Sequence, residues 1–393
     1  MRVALFLLTL ASAFAEPSPV KQRLTAIAPR MQAMVDDHTI PGCVYYVSQR
    51  GVVLAHQAVG WQDLETRHPM RTDSLFQIMS MTKPMTAAAL MMLVEEGKVV
   101  LTDPVERYLP EFAAQPGPNG TAHRASTLYQ ILTHTSGMES DPPAERRKEI
   151  QYEMTVPLAD AVKFFATVPL RTMPGTQWNY SNMGIATVGR VVEAVSGMPF
   201  DRFMQERLFA PLGMNDTFFF PDAARVPRIA LLYRRDRAGL VLPGPNVLGG
   251  DPTLFRKGAK YTAPEFALYS TASDVAAFYQ MMLDGGTYKG KRLLSPSSVD
   301  VMTSLHTGNL TTFNLGSGNG LAFTVPRDGD ATYDLVSPDS FGHGGAFGTW
   351  SFADKAKSVV GVFMVQIAGP ETNRPQHVFN AMVESAIDRG AAR

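Results

Sequence analysis

A long, almost uninterrupted apolar run at residues 75–97 places one serine and one lysine a single helical turn apart. The run ends at Gly97, a frequent helix stop, and Pro84 falls in the first turn, where a helix tolerates proline. A helix that begins near Ser80 would be buried on most sides, with the Ser80 hydroxyl and the Lys83 amine on one face. Burial lowers the pKa of a lysine by up to about 3–5 units, so a neutral Lys83 can accept the Ser80 proton. We therefore predict a nucleophile and its base at this point.

The spacing alone does not identify a site, because Ser18 and Lys21 show it too, in a stretch without a helical pattern. Two further segments support it. Trp178-Asn-Tyr180-Ser-Asn182 follows a Pro-Gly turn and precedes an apolar run. Phe341-Gly-His343-Gly-Gly345-Ala346 leads into a strand-like apolar run. Taken singly, each segment also has a structural interpretation, a half-buried tyrosine in the first case and a tight turn between strands in the second.

In this order and spacing, the three segments resemble the motifs of the serine β-lactamase and penicillin-binding-protein-like superfamily. Those motifs are Ser-x-x-Lys, Tyr-x-Asn, and a strand carrying Lys, His or Trp before x-Gly. The class C-like branch, with family VIII carboxylesterases and D-amino-acid peptidases, fits best. The stretches Leu132-Thr-His-Thr-Ser-Gly137 and Leu268-Tyr-Ser-Thr271 fit that branch as well. The resemblance spans nearly all of the chain after residue 15.

A second tripeptide, His306-Thr-Gly308, also satisfies the third motif. It follows a segment with the pattern of a capped helix beginning at Ser295, so we interpret Gly308 as the stop of that helix. His343 lies immediately before the last apolar strand, where the resemblance expects the motif. We therefore prefer His343.

The resemblance implies a role for each motif residue. Ser80 is the nucleophile that forms an acyl-enzyme, and Lys83 and Tyr180 share the proton transfers, with the first base left open. Asn182 hydrogen-bonds Lys83 and the substrate, and the backbone N–H groups of Ser80 and Ala346 form the oxyanion hole. The sequence has no metal-ligand spacing such as His-Glu-x-x-His, and we expect neither a metal nor a cofactor. The predicted site residues are Ser80, Lys83 and Tyr180 for catalysis and Asn182, His343, Gly345 and Ala346 for binding the substrate or its oxyanion.

The third motif differs from that of the lactamases. Their Lys-Thr-Gly presents a fixed cation and a hydroxyl to a carboxylate, whereas His343 is mostly neutral at pH 7 and Gly344 and Ala346 carry no hydroxyl. The usual glycine-rich lead-in to Leu268 is likewise replaced by Glu265-Phe-Ala267.

These departures favour neutral esters. We predict a serine hydrolase acting as a carboxylesterase on short-chain esters, with a small-molecule ester or amide as its partner. A D-alanyl-D-alanine carboxypeptidase or D-aminopeptidase, or a β-lactamase, is the alternative on the same fold. A catalytically silent binding or sensor protein is the alternative of another class. A Ser-His-Asp hydrolase is disfavoured, because the sequence has no Gly-x-Ser-x-Gly.

The order of predicted elements indicates an α/β fold of the β-lactamase/transpeptidase type, an antiparallel sheet flanked by helices with an inserted, mainly helical domain. Strands are predicted at 42–48, 52–59, 320–325, 331–336, 348–353 and 359–367. Helices are predicted at 20–38, 158–166, 185–196, 200–209, 273–283 and 376–387. The expected divisions are a signal peptide at 1–15, a discontinuous sheet domain over 16–105 and 265–393, and the helical insertion over 106–264.

Composition and the N-terminal residues bear on the binding partners and the location of the protein. The formal net charge is zero and the basic residues are scattered, which gives no support for binding to nucleic acid or a membrane surface. Arg2, a short apolar stretch and Ala13-Phe-Ala15 predict a signal peptide cleaved near Ala15 and export to the periplasm or medium. No segment reaches the roughly 18 unbroken apolar residues of a membrane span. With Cys43 as its single cysteine, the chain has no internal disulfide. The sequence does not indicate an oligomeric state.

Overall fold

The computed structural model describes residues 19–121, 124–236, 239–244, 247–312, 316–327, 335–369 and 373–387. The signal peptide expected at 1–15 lies outside these residues and stays a prediction, and so does most of the strand expected at 331–336. The strands are β1 Gly42–Gln49, β2 Val52–Asp63, β3 His68–Pro69, β4 Phe76–Gln77, β5 Tyr233–Asp236, β6 Gly239–Val241, β7 Tyr269–Ser270, β8 Thr287–Tyr288, β9 Lys291–Arg292, β10 Ser317–Asn319, β11 Thr324–Pro326, β12 Ser340–Gly344, β13 Trp350–Asp354, β14 Val359–Met364 and β15 Ile367–Ala368. The α-helices are α1 Pro19–Leu24, α2 Ile27–Asp36, α3 Thr82–Glu95, α4 Leu128–Leu132, α5 Ala144–Arg147, α6 Leu158–Phe165, α7 Asn182–Ser196, α8 Phe200–Met204, α9 Ala210–Leu212, α10 Ala272–Leu283, α11 Pro296–Thr303 and α12 Arg374–Ala386.

Strands from the two ends of the chain form one antiparallel sheet, in the order β10-β11-β12-β13-β14-β1-β2-β3. In its centre β14 pairs with β1, with Tyr45 opposite Phe363. Successive side chains of a strand point to opposite faces. Accordingly, Val360 and Val362 belong to the larger core, and Phe363 belongs to the second core beneath the terminal helices. Both faces of β14 are therefore buried.

The terminal helices α1, α2 and α12 cover one face of this sheet. A single helix was expected over 20–38, and the structure instead breaks it between Leu24 and Ile27. At the break, the Thr25 hydroxyl donates to the carbonyl of Gln22 at 2.7 Å. Side-chain bonds of this kind compete with the helical ladder, which accounts for the interruption.

The other face of the sheet packs against α10, and α3 packs against α7. Most of α3 is buried, and Gly97 beyond its end has φ +70°, the left-handed conformation typical of a helix stop. Helix α7 is capped by the Ser181 hydroxyl, which accepts the N–H of Gly184 at 2.9 Å. The predictions of these two helices are confirmed. No helix built from the described residues has the length and apolar character needed to cross a membrane.

Three local predictions are wrong. Of the strand expected at 320–325, residues 320–323 form a turn between β10 and β11, with Ala322 at φ +58°, and only Thr324 and Val325 lie in a strand, β11. Helix α11 is capped by Ser295 as expected but ends at Thr303, so Gly308 is not its stop. The strand expected at 359–367 stops at Met364, and β15 pairs with β5 in a separate small sheet. The domain boundaries near 105 and 265 stay a prediction.

Candidate active site

Ser80 lies on a 3₁₀ turn, Met79–Met81, that leads directly into α3. Met79 and Met81 are fully buried, whereas Ser80 is partly exposed. Met79 has φ +49°, a left-handed conformation that is costly for a side chain of this size and persists only where its surroundings impose it. The turn thus holds the Ser80 hydroxyl at the surface of an otherwise buried segment.

The Lys83 amine lies directly against this hydroxyl. Lys83 Nζ donates to Ser80 Oγ at 3.0 Å and to the backbone carbonyl of Glu265 at 2.8 Å. The side chain is fully buried, and burial lowers the pKa of Lys83 to about 7, against the opposing effects of the Glu265 and Asp141 carboxylates. A large share of the amine is therefore neutral near pH 7 and able to accept a proton.

Tyr180 lies across the same amine, immediately before the Ser181 cap of α7. Lys83 Nζ is 4.8 Å from the centre of the Tyr180 ring. Burial raises the pKa of the Tyr180 hydroxyl above its ordinary value, and a hydrogen bond to Ser80 works in the opposite direction. The phenol therefore keeps its proton at neutral pH.

Asn182 is the first residue of α7 and is nearly buried. We predicted a hydrogen bond to Lys83, but Asn182 Nδ2 donates to Asp141 Oδ1 at 2.8 Å. The same carboxylate oxygen accepts Gln151 Nε2 at 2.8 Å. The Lys83 amine donates to Ser80 and to the Glu265 carbonyl instead, and Asn182 Oδ1, the atom that could accept it, has no hydrogen-bond partner among the described residues. This part of the sequence interpretation is corrected.

His343 lies on β12 and is nearly buried, with its ring 6.3 Å from that of Tyr180. Its Nδ1 is 2.7 Å from the carbonyl of Gly344. Only a protonated Nδ1 can donate to a carbonyl, which leaves Nε2 as an acceptor. Burial, and after it the charge of the nearby Lys83, lower the pKa of His343 to about 3, against the opposing effect of the hydrogen bond to Gly344. The imidazole is therefore neutral.

Gly345 brings the end of β12 against the turn that carries Ser80. A β-carbon at Gly345 would overlap the Thr349 hydroxyl and the backbone carbonyl of Ile78. Thr349 fastens the same contact, because its hydroxyl donates to the Ile78 carbonyl at 3.2 Å. Ala346 follows directly and is exposed, and no backbone hydrogen bond among the described residues uses its N–H. That N–H is thus available to a ligand.

His306, the alternative histidine for the third motif, makes its contacts elsewhere. His306 Nε2 is 2.7 Å from the carbonyl of Val301, and its ring meets the edge of Tyr129 at 5.4 Å. The structure thus brings together Ser80, Lys83, Tyr180 and His343 from distant parts of the chain.

Three further residues border the cluster, and the sequence assigned none of them a role. His134 is fully buried, its ring lies 4.5 Å from that of Tyr180 at a tilt of 35°, and its Nδ1 accepts the Ser181 N–H at 3.2 Å. Asp141 holds Asn182, and Glu265 holds Lys83 through its carbonyl. The stretch 132–137 and the substituted lead-in at 265–267 were the available signals, but neither indicates which side chain meets the motif residues.

A family model and several bacterial proteins are similar to this chain over most of its length. A family model described as Beta-lactamase matches residues 27–382. An uncharacterized protein of Mycobacterium tuberculosis is 32% identical over 365 residues, 86% of this chain and 88% of that protein. Esterase EstB of Burkholderia gladioli is 31% identical over 284 residues, 66% of this chain and 71% of EstB. A D-alanyl-D-alanine carboxypeptidase-like protein of Salmonella enteritidis is 29% identical over 326 residues, covering 78% and 74%.

Among solved structures, that of EstCE1, a hydrolase with promiscuous acyltransferase activity, is similar with a TM-score of 0.82 and 22% identity. The match covers 94% of this chain and 98% of EstCE1. The predicted β-lactamase/transpeptidase fold is confirmed, as is the resemblance on which it rested. The family match over nearly the whole chain and the relatives above lead to one conclusion, that the chain belongs to the Beta-lactamase family of serine hydrolases.

Proposed function

We propose that this protein is a carboxylesterase that hydrolyses short-chain esters through an acyl-enzyme on Ser80. The observation that carries the proposal is the contact between the Ser80 hydroxyl and a fully buried Lys83 amine whose pKa is lowered to about 7. A base with a pKa near the working pH is well suited to proton transfer. A protein that only binds a ligand has no need of this pair.

The proposed reaction runs in two halves. Lys83 takes the Ser80 proton while Oγ bonds to the ester carbonyl carbon, and the carbonyl electron pair moves onto oxygen. The N–H groups of Ser80 and Ala346 stabilise this oxyanion. When the oxyanion collapses, the bond to the alkoxy oxygen breaks and the alcohol leaves with a proton supplied through Lys83 and Tyr180. Water then attacks the acyl-enzyme by the same route, releasing the acid and restoring Ser80.

The preference for an ester is supported by the state of His343. Its imidazole is neutral, and its Nε2 can only accept a hydrogen bond. An acceptor repels a carboxylate, the group that lactam drugs and D-alanyl peptides present, whereas it leaves an uncharged ester unaffected. Esterase EstB and the hydrolase EstCE1 are relatives with compatible descriptions.

The proposal is tested by comparing kcat/KM of the purified protein for p-nitrophenyl esters of increasing acyl length, nitrocefin and D-alanyl-D-alanine peptides. We expect the short-chain esters to be turned over fastest, with values falling as the acyl chain lengthens. Replacing the neutral imidazole by a cation, in His343→Lys, should improve carboxylate-bearing substrates relative to esters by about 5–150-fold, the equivalent of roughly 1–3 kcal/mol. Preference of the wild-type protein for nitrocefin or for D-alanyl peptides over p-nitrophenyl butyrate would replace the esterase assignment by a lactamase or peptidase.

A further inference from the structure

Glu265, whose backbone carbonyl binds the base of the proposed reaction, carries a buried carboxyl group that interacts electrostatically with that base. Its backbone carbonyl accepts Lys83 Nζ at 2.8 Å, and the residue is 1% exposed. Oε1 accepts the Tyr261 hydroxyl at 2.9 Å. Oε2 is buried and has no hydrogen-bond partner among the described residues. A carboxylate held in this way is costly to ionise, because it has lost its hydration and gained one donor only.

Four titratable groups interact with Glu265. Lys83 approaches from α3 and Asp141 from the segment that follows α4, and both interact electrostatically with Glu265. Tyr261 lies on the same segment as Glu265. Tyr180 lies on the segment before α7 and interacts electrostatically with the carboxylates of Asp141 and Glu265. Among these groups, Lys83 is the cation that stabilises an ionised Glu265 carboxylate.

The pKa values of Glu265 and Lys83 lie close to each other. Burial raises the pKa of Glu265 to about 8, and the Lys83 charge opposes that rise. Burial lowers the pKa of Lys83 to about 7, and Glu265 is the foremost group opposing that fall. Interacting groups of this kind lose their protons in steps that belong to the pair.

We propose that Glu265 is a positioning residue that sets the charge of the Lys83 base, so that the pair shares one proton and fixes the pH at which Ser80 becomes nucleophilic. The inference rests on the proposed function and extends it from the motif residues to a side chain outside them. With its carboxyl ionised, Glu265 retains the proton on Lys83. With its carboxyl protonated, it releases Lys83 to act as the base.

The inference is tested by the rate at which a fluorophosphonate probe labels Ser80 as a function of pH. Glu265→Gln retains the shape of the side chain and the backbone carbonyl but cannot ionise. We expect the rising limb of its profile to move toward acid by about 1 pH unit, because Lys83 loses the carboxylate that raises its pKa. Tyr261→Phe removes the hydroxyl that stabilises the carboxylate and should move the limb in the same direction by less.

The matched control is Glu384→Gln, which neutralises another buried carboxyl, on α12, where the partner is Lys357. Its profile should superimpose on that of the wild-type protein. The inference about Glu265, but not the proposed function, would be overturned if the wild-type, Glu265→Gln and Tyr261→Phe proteins all melt cooperatively and their profiles superimpose. If Glu265→Gln does not fold, the profile of Tyr261→Phe provides the test. Absence of label on Ser80 in the wild-type protein would overturn the proposed function and this inference together.

Discussion

A lysine amine in water holds its proton at pH 7, and burial moves the Lys83 amine toward losing it. Its surroundings are an apolar helix, the Tyr180 ring and one backbone carbonyl, with Ser80 as its remaining hydrogen-bond partner. The pKa of Tyr180 moves the other way, above its ordinary value. When burial drives two titratable neighbours apart in this manner, one is suited to accept a proton and the other to donate one.

The pH dependence follows from the direction of the Lys83 shift. Only the neutral amine accepts the Ser80 proton, so kcat/KM should rise with pH through the apparent pKa of the coupled site, near 7. Lys83→Arg should lower kcat/KM by about 10²–10⁴-fold at every pH, because a guanidinium does not give up its proton. The measurement is a pH–rate profile of both proteins on p-nitrophenyl butyrate. An unchanged profile in the variant would assign the base role to Tyr180 alone.

At this scale the sequence predicts what is local. Ser80 and Lys83 meet because residues three apart share a helix face, and that follows from spacing. His134 and Glu265 reach the site through tertiary packing of distant segments, which spacing does not encode. The predicted partner of Asn182 is wrong for the same reason, because the observed partner, Asp141, lies on a loop whose course is set by the fold.

Among the elements, the end of β12 and the turn that carries Ser80 form the contact that assembles the site. Gly345 permits it, because its missing side chain leaves room for the Ile78 carbonyl and the Thr349 hydroxyl. The exposed Ala346 is held next to that contact. The geometry of the proposed oxyanion hole therefore depends on how closely a strand end approaches a helix start.

Gly345→Ala should separate these two elements. We expect kcat for p-nitrophenyl butyrate to fall by on the order of 10²-fold, since a displacement of about 1 Å in a catalytic group has that effect. The matched control is Gly244→Ala, where a β-carbon meets nothing within 4 Å and the backbone is not left-handed. Steady-state kinetics and thermal melting of both variants check the prediction, and equal kcat values in the two would contradict it.

Helices with strong caps or long apolar runs were predictable, as α3 and α7 demonstrate. The failures are short strands and element ends. The turn between β10 and β11 is apolar and therefore has the composition of a strand, and the stop of β14 at Met364 depends on the pairing of β15 with β5. Such ends are decided by neighbours in the fold rather than by the residues themselves.

On the scale of the whole molecule, strands and helices from the two ends of the chain pack against each other. β1 pairs with β14, and α12 packs on α1 and α2 across the same face. Lys357, just before β14, forms an ion pair with Glu384 of α12, with side-chain exposures of 9% and 0%. This pair fastens the last helix to the sheet that carries His343.

Lys357→Met should lower the free energy of unfolding by about 3–5 kcal/mol, because it leaves the Glu384 carboxyl buried without its cation. Arg202→Met is the matched control, since it breaks an ion pair with Glu206 that is 66% and 49% exposed, and exposed pairs contribute little to stability. Urea unfolding of the two variants compares the pairs. A smaller loss for Lys357→Met than for Arg202→Met would show that the buried pair does not hold α12.

The central claim, that Ser80 forms the acyl-enzyme, is tested most directly by identifying the residue that a fluorophosphonate modifies. Intact-mass analysis followed by peptide mapping should give one adduct, on the peptide with Ser80, and Ser80→Ala should lose the adduct together with on the order of 10⁴-fold in esterase turnover while it still folds. An adduct on Ser136 or Ser181, or a Ser80→Ala protein that keeps its activity, would contradict the account.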